Sequence, residues 1–273
     1  MNIRKVLFLL MILGFSAIAF GNGGYACFGC PDGRPPGHAD WWVEGDTTIG
    51  KPIRIEVMDS SVGTFSSARG QFGIGGIGPE FTPLMRSFHW PDSLAGEHFV
   101  LYIDGTYYSF VSFSADQLIL CGGTPVTVHQ INEYFVESDT VITIDSVYEI
   151  HSHWQIPVGV GGLIDFYQIL KPVTMAFGPD TCGQTRILFR AFNQDFAPHN
   201  IGVKLLIDAF IGTSDRPSIM IAGAYTTYSQ FYKAPVPSYW QGADNPDLSL
   251  ASAVARGILR GGDATPPDYF AIG

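Results

Sequence analysis

Hydrophobic and polar residues alternate along much of the chain beyond residue 40. Ile53, Ile55 and Val57, for example, alternate with Arg54 and Glu56. Because successive side chains of a strand point to opposite sides, this period of two predicts strands that bury one face. Further strand patterns follow to nearly the end of the chain, at residues 163–170, 173–177, 186–193, 201–210, 218–221 and 225–231.

Two hairpins are predicted among these strands. The pair Asp104-Gly105 separates two strand patterns, and Asp-Gly favours a type I′ turn because both central residues need positive φ. A second, longer hairpin is predicted from residues 126–136 and 141–150, with its turn around Ser138 and the aspartate that follows it.

The spacing of these elements predicts an all-β fold. Short connections between frequent strands favour a large antiparallel β-sandwich, of the supersandwich size, over alternating βαβ units. Only residues 248–259 have a helix-like spacing, which fits a strand nearly as well, so little helix is expected after the N-terminal leader. With no internal repeat and no long linker, residues 41–273 are predicted to form a single domain.

Composition and charge narrow the classes of function. The chain is 46% hydrophobic and only 15% charged, so it is expected to fold. Fifteen basic residues against 25 acidic ones give a net charge of −10. No basic surface is therefore expected for nucleic acid, which we exclude as a partner, or for anionic lipid.

The N-terminus has the layout of a secretory signal peptide. Arg4 and Lys5 precede an apolar run over residues 6–20 that ends in small residues. The run is shorter than the roughly 18 residues of a spanning helix, and no later segment is long enough. We therefore predict a signal peptide at residues 1–21, a mature chain without a transmembrane span, and a secreted, periplasmic or cell-surface location; an uncleaved anchor is the alternative.

Four cysteines agree with an oxidising compartment. An even number in an exported chain indicates disulfides, although four cysteines allow three pairings and the sequence does not choose among them. Two of them lie in a Gly/Pro-rich N-terminal arm at residues 22–40, where a redox pair or a zinc half-site with His38 are the alternatives. The predicted disulfide cysteines are Cys27, Cys30, Cys121 and Cys182.

Two groups of side chains are candidates for metal binding, and no other cofactor is indicated. Glu149, His151 and His153 alternate on one strand face and could share zinc, although a polar exposed strand explains them equally. Oxygen ligands near two consecutive loops could hold calcium, although Asn and Asp are also ordinary turn formers. This second group is Asn193, Asp195, Asp208 and Asp215.

Carboxylates and aromatic rings provide the candidates for sugar chemistry. Glu149, Asp165 and Asp208 could supply a carboxylate pair for glycoside chemistry, and Asp208 is also explained by an ion pair with a neighbouring base. Rings beside turns could stack on a pyranose, although rings at strand ends are often part of the core. The candidate ligand-binding rings are Trp90, Trp154, Tyr239 and Trp240.

The last third of the chain carries a distinctive pattern. Its segments include Phe189-Arg190-Ala191-Phe192-Asn193, His199-Asn200-Ile201-Gly202-Val203, Tyr239-Trp240 and Thr265-Pro266-Pro267-Asp268. Between Arg186 and Asp268 the chain resembles an uncharacterised module of exported bacterial proteins. That module continues past its Thr-Pro-Pro-Asp segment, so we expect a truncated C-terminus here. At the level of the fold, the chain is also similar to galactose-mutarotase-like large sandwiches.

These observations lead to two hypotheses about function. The first is an exported, non-catalytic sandwich that recognises carbohydrate or another surface protein, because aromatic rings are many and no catalytic signature is present. The alternative is a sugar-active hydrolase, lyase or epimerase that uses carboxylates on a face of the sandwich.

Overall fold

The computed structural model describes the chain in segments that include most of its predicted strands. The described residues lie in thirteen segments. They are residues 13–19, 41–44, 53–57, 69–76, 82–84, 98–109, 128–142, 148–177, 180–207, 209–212, 214, 216–226 and 229–272.

Nineteen strands and one short 3-10 helix, at Ile131–Tyr134, make up the regular structure of these residues. The strands are β1 Leu13–Ala19, β2 Trp41–Glu44, β3 Ile53–Val57, β4 Phe72–Gly76, β5 Thr82–Pro83, β6 His98–Ile103, β7 Thr106–Ser109, β8 Val128–Gln130, β9 Phe135–Ile142, β10 Tyr148–Val158, β11 Gly162–Phe177, β12 Asp180–Asn193, β13 Ile201–Leu206, β14 Ser218–Ile221, β15 Ala224–Tyr225, β16 Gln230–Lys233, β17 Tyr239–Ala243, β18 Ala253–Ile258 and β19 Tyr269–Ile272.

The strands form four sheets. The largest has nine strands in the order β15-β14-β17-β18-β1-β12-β11-β10-β9. Two four-stranded sheets, β2-β3-β4-β5 and β13-β6-β7-β8, and the ribbon β16-β19 complete the set. All pairings are antiparallel except β7 with β8, which is parallel. The prediction of an all-β, mainly antiparallel fold is confirmed, and the 3-10 helix is the only helix among the described residues.

The core lies between the nine-stranded sheet and the two smaller sheets. Phe99 of β6 packs its ring against Trp154, Phe166 and Phe189 of the large sheet, with centroids 5.2, 5.1 and 5.3 Å away. From the other small sheet, Ile55 is fully buried in the same apolar cluster. This arrangement of two layers around one apolar interior is that of a sandwich.

One predicted hairpin is confirmed and the other is wrong in its turn. Asp104 and Gly105 connect β6 to β7 with φ of 47° and 91°, as a type I′ turn requires. Ser138, in contrast, lies within β9, opposite Ser152 of β10. Its buried hydroxyl is 2.9 Å from the Ser152 hydroxyl, so this polar residue is a partner inside the sheet and not a turn former.

The structure of residues 163–177 also differs from the prediction. The strands predicted at 163–170 and 173–177 are one continuous strand, β11, which passes through Pro172. Proline has no backbone N–H to donate to a neighbouring strand. Pro172 lies beyond Ile150–Leu170, the last pair of the β10–β11 ladder, so no N–H is needed on the β10 side at this position.

Part of the predicted signal peptide is a strand in this structure. Residues 13–19 form β1 and pair antiparallel with β12 on one side and β18 on the other. The predicted arm at residues 22–40 lies outside the described residues. Among the residues described, no helix has both the length and the apolar character needed to cross a bilayer.

Candidate functional site

The nine-stranded sheet has one face toward the core and one face away from it, which we call the outer face. Along β10, Ile150, Ser152 and Trp154 are buried, whereas the residues between them are partly or fully exposed. Strand register extends this face to the neighbouring strands. Its polar and aromatic members include Glu137, Asp139, Glu149, His151, His153, Gln155, Asp165, Tyr167, Lys171, Arg186, Arg190, Phe192, Tyr239, Gln241 and Arg256.

A hydrogen-bonded network lies on the outer face of β10 and β11, near one edge of the nine-stranded sheet. The Nε2 atom of His153 is 2.9 Å from Oδ1 of Asp165, and the Gln194 amide donates to Oδ2 of the same carboxylate. The His153 ring also stacks on Tyr167, with centroids 4.3 Å apart and planes within 2°. Tyr167 in turn meets Phe192 edge-on at 5.7 Å. These contacts hold three polar side chains and the rings of Tyr167 and Phe192 in defined orientations.

The electrostatics of the network keep Tyr167 neutral. Loss of hydration raises the pKa of the Tyr167 hydroxyl, and the nearby carboxylates of Asp165 and Glu137 raise it further. The hydroxyl therefore stays protonated at neutral pH and can both donate and accept a hydrogen bond.

The two described candidate acids lie far apart. Glu149 is 2.9 Å from Nε2 of His151 and 3.4 Å from Nζ of Lys171, at one end of β10. Asp165 faces Gln155 in the ladder. Gln155 is six residues from Glu149, which at the rise of a strand is roughly 20 Å. The structure therefore does not bring Glu149 and Asp165 together as a carboxylate pair, and Asp208 lies outside the described residues.

The predicted metal groups are not assembled in the described part of the chain. His153 points to Asp165 while His151 pairs with Glu149, so these side chains do not share one centre. Throughout the residues that the structure describes, no three His, Cys, Asp or Glu side chains are placed to hold a metal ion.

The predicted calcium ligands have other partners or are not described. Asn193 accepts the N–H of Asp195 at 2.8 Å and donates to the carbonyl of Ala197 at 2.7 Å, which is a turn stabilised by its own side chain. Asp215 lies outside the described residues. The same holds for three of the predicted disulfide cysteines, Cys27, Cys30 and Cys121, while Cys182 lies in β12 opposite Met175.

The prediction that Trp154 contacts a ligand is wrong. Its side chain is 0% exposed and packs among core rings, because its position in the alternation of β10 faces inward. Trp240 also lies on the inner face, against Gly257, and is largely buried. Tyr239 is on the outer face, half-buried beneath the guanidinium of Arg256 at 4.7 Å. Trp90 lies outside the described residues.

Several rings that the structure exposes are not among the predicted ligand-binding residues. Phe192 is 43% exposed beside Tyr167. On the β16–β19 ribbon, Phe231 and Tyr269 are 57% and 60% exposed and stack with centroids 5.6 Å apart. Their half-buried strand neighbours Ala191, Tyr232 and Phe270 are also apolar or aromatic, so alternation of polarity does not distinguish the exposed rings.

A second missed cluster joins two loops at the end of the sheets. His199 lies between Asp104 and Asp195, with Nδ1 2.5 Å from one carboxylate and Nε2 3.0 Å from the other. Asp104 also accepts the N–H of Asn200 at 2.8 Å. We call Asp104, His199 and Asp195 the loop latch, because they connect the β6–β7 turn to the loop that follows β12.

The geometry of the loop latch implies a charged imidazole. Carboxylates only accept hydrogen bonds, and both ring nitrogens donate only in the imidazolium. Consistently, the hydrogen bond to Asp104 raises the pKa of His199 against the opposing effect of burial. The Asn200 N–H lowers the pKa of Asp104, and the His199 hydrogen bond lowers that of Asp195.

Comparisons of the chain with protein-family profiles, with curated proteins and with solved structures returned no match. The resemblance of residues 186–268 to an exported bacterial module therefore stays a prediction. The residues of the outer face are therefore the basis for a functional proposal.

Proposed function

We propose that this protein is an exported, non-catalytic module that recognises carbohydrate through the outer face of its nine-stranded sheet. The observation that carries the proposal is the network of His153, Asp165 and Gln194, which holds Tyr167 beside the exposed ring of Phe192.

The chemistry of this network suits a sugar. A pyranose presents an apolar face that packs on an aromatic ring and hydroxyl groups that need fixed donors and acceptors. Tyr167 and Phe192 offer the rings, and the neutral Tyr167 hydroxyl offers a donor and an acceptor. Because the side chains already hold one another, little rotamer freedom is lost on binding.

The same geometry argues against glycoside hydrolysis by the two described acids. Hydrolases of this kind hold their two carboxyl groups about 5 to 9.5 Å apart. Glu149 and Asp165 are separated by roughly 20 Å along the sheet. Asp165 is moreover engaged by His153 and Gln194, which supports a positioning role over proton transfer.

Binding of purified protein to a glycan array, followed by calorimetry on the best ligand, tests the proposal. We expect Tyr167→Ala and Phe192→Ala each to weaken binding by about 10-fold or more, as for aromatic hot-spot residues. The control is Tyr148→Ala, which removes an exposed ring of β10 outside the network. A folded sample that binds no saccharide, or that binds only proteins, would overturn the proposal.

Export is tested separately. If residues 1–21 are a signal peptide, mass spectrometry of the protein from the secreted or periplasmic fraction should give the mass of a chain that begins after Ala19 or Gly21. Retention of residues 13–19 in that fraction would instead agree with β1 as a permanent strand between β12 and β18.

A further inference from the structure

Arg256 of β18 is a half-buried cation whose described contacts include no acid. Its Nε and Nη2 atoms both donate to Oε1 of Gln241, at 3.2 and 2.5 Å. Its guanidinium carbon lies 4.7 Å from the centre of the Tyr239 ring. Among the residues that the structure describes, no carboxylate forms an ion pair with Arg256.

The other two half-buried cations of the outer face differ from Arg256 in this respect, whereas Arg190 is exposed to water. Lys171 is 3.4 Å from a Glu149 oxygen, and Arg186 is 2.7 Å from an Asp263 oxygen. The chain has 25 acidic and 15 basic residues, so acids are not scarce. A partly buried charge without a counter-charge costs free energy, which an anionic ligand would recover.

Two neighbours hold the guanidinium in one plane. Gln241 faces Arg256 directly in the β17–β18 ladder, and the Tyr239 ring packs on the guanidinium. A single amide oxygen accepts both donated hydrogen bonds. An arginine carries five N–H donors, so donors remain for a ligand. An oriented guanidinium fits a planar carboxylate with two parallel hydrogen bonds.

Arg256 is on the same side of the large sheet as the proposed sugar site. The adjacent residues Ala255 and Gly257 are buried, and Ala255 belongs to the central apolar cluster, so Arg256 faces away from the core. We propose that Arg256 binds the carboxylate of a uronic acid residue, which makes the ligand an acidic saccharide. This inference rests on the proposed carbohydrate recognition and specifies its ligand class.

The register places Arg256 roughly 20 Å along the sheet from Tyr167, so the ligand must span that distance. Calorimetric titration with an oligogalacturonate of that length and with a neutral oligosaccharide of the same length tests the inference. We expect the oligogalacturonate to bind more tightly to the unmodified protein. Arg256→Gln should weaken its binding by about 10- to 100-fold, and Arg256→Lys should restore little because an ammonium lacks the planar fork. Lys204→Gln, at an exposed position of β13 in another sheet, is the control and should leave both affinities unchanged.

A measurement on the unmodified protein covers the case in which an Arg256 variant does not fold. Added salt should weaken binding of the oligogalacturonate much more than binding of the neutral oligosaccharide, because salt screens a partly exposed ion pair. Equal salt dependence for the two ligands would overturn the inference.

Four further outcomes separate the two proposals. Neutral and acidic oligosaccharides that bind equally, or an Arg256→Gln protein that keeps full affinity for oligogalacturonate, would overturn the role of Arg256 alone. An oligoglutamate that binds as tightly as the oligogalacturonate would show that the site takes acidic peptides, and would also overturn it. Absence of binding by every saccharide, neutral or acidic, would overturn the proposed function itself.

Discussion

The two faces of strands β10, β11 and β12 differ although their residues alternate along the same backbone. On the inner face, Trp154, Phe166 and Phe189 are almost completely buried and contact one another and Phe99. On the outer face, His153 and Tyr167 are half-buried and held by hydrogen bonds and ring stacking.

The difference separates stability from recognition. Buried rings contribute through apolar area and tight packing, so their removal leaves a cavity. Side chains at a solvated surface contribute little to the free energy of unfolding, because water replaces most of their interactions when the chain unfolds. Changes on the inner face should therefore alter the free energy of unfolding, and changes on the outer face should alter ligand binding.

The largest effect on stability is expected for Trp154→Ala. Removal of this fully buried ring should lower the free energy of unfolding by about 3–5 kcal/mol, a large fraction of the total for a domain. Urea unfolding measures the change. The control is Gln155→Ala, one residue further and exposed, which should stay within about 0.5 kcal/mol. Equal destabilisation by the two variants would contradict the division between the faces.

The next effect concerns Gly257, also on the inner face. A Cβ there would overlap the indole of Trp240, so Gly257→Ala should destabilise the protein by about 1–3 kcal/mol through overpacking. At Gly202 a new Cβ would lie 3.7 Å from the Tyr102 side chain, in ordinary contact. Gly202→Ala is therefore the matched control, and its melting temperature should remain near that of the unmodified protein.

A smaller, pH-dependent effect is expected at the loop latch. Because the pKa of His199 is raised in the folded protein, its contribution to the free energy of unfolding is complete below about pH 6.5. This contribution is lost as pH rises through the pKa of His199 in the folded protein. Because the pKa values of Asp104 and Asp195 are lowered in the folded protein, the contribution of these carboxylates to stability is complete above about pH 4 and is lost on acidification. The latch should therefore stabilise most between about pH 4 and 6.5.

Melting curves of His199→Gln against the unmodified protein, recorded from pH 4 to 9, measure this contribution. The difference in melting temperature should be greatest near pH 5 to 6 and should shrink above neutral pH. His129→Gln, at an exposed position of β8, is the control. A difference that does not change with pH would show that His199 acts by packing and not by charge.

The smallest effect on stability is expected for Phe192→Ala on the outer face. The Phe192 ring is 43% exposed and contacts Tyr167 edge-on, so the free energy of unfolding should change by less than about 1 kcal/mol. The same variant should weaken saccharide binding. Strong destabilisation together with unchanged saccharide binding would show that Phe192 belongs to the core and would contradict the division between the two faces.

Local pattern alone was sufficient for the fold class and for several elements. Alternation along β10 correctly placed Glu149, His151 and His153 on a wetted face, because side-chain direction in a strand depends only on position. The Asp104-Gly105 turn was equally predictable, since positive φ is a local requirement.

Alternation along a strand could not predict which residues of different sheets contact one another. The rings beside polar runs looked exposed, yet Trp154 is covered because β6 brings Phe99 over it from a distant part of the sequence. The exposed rings of the ribbon depend on β16 pairing with β19, which no local signal indicates. His199 likewise finds Asp104 across 95 positions, only after β13 pairs with β6. A chain specifies the direction of each side chain locally, whereas cover, partners and charge state depend on which surfaces come together when the sheets pack.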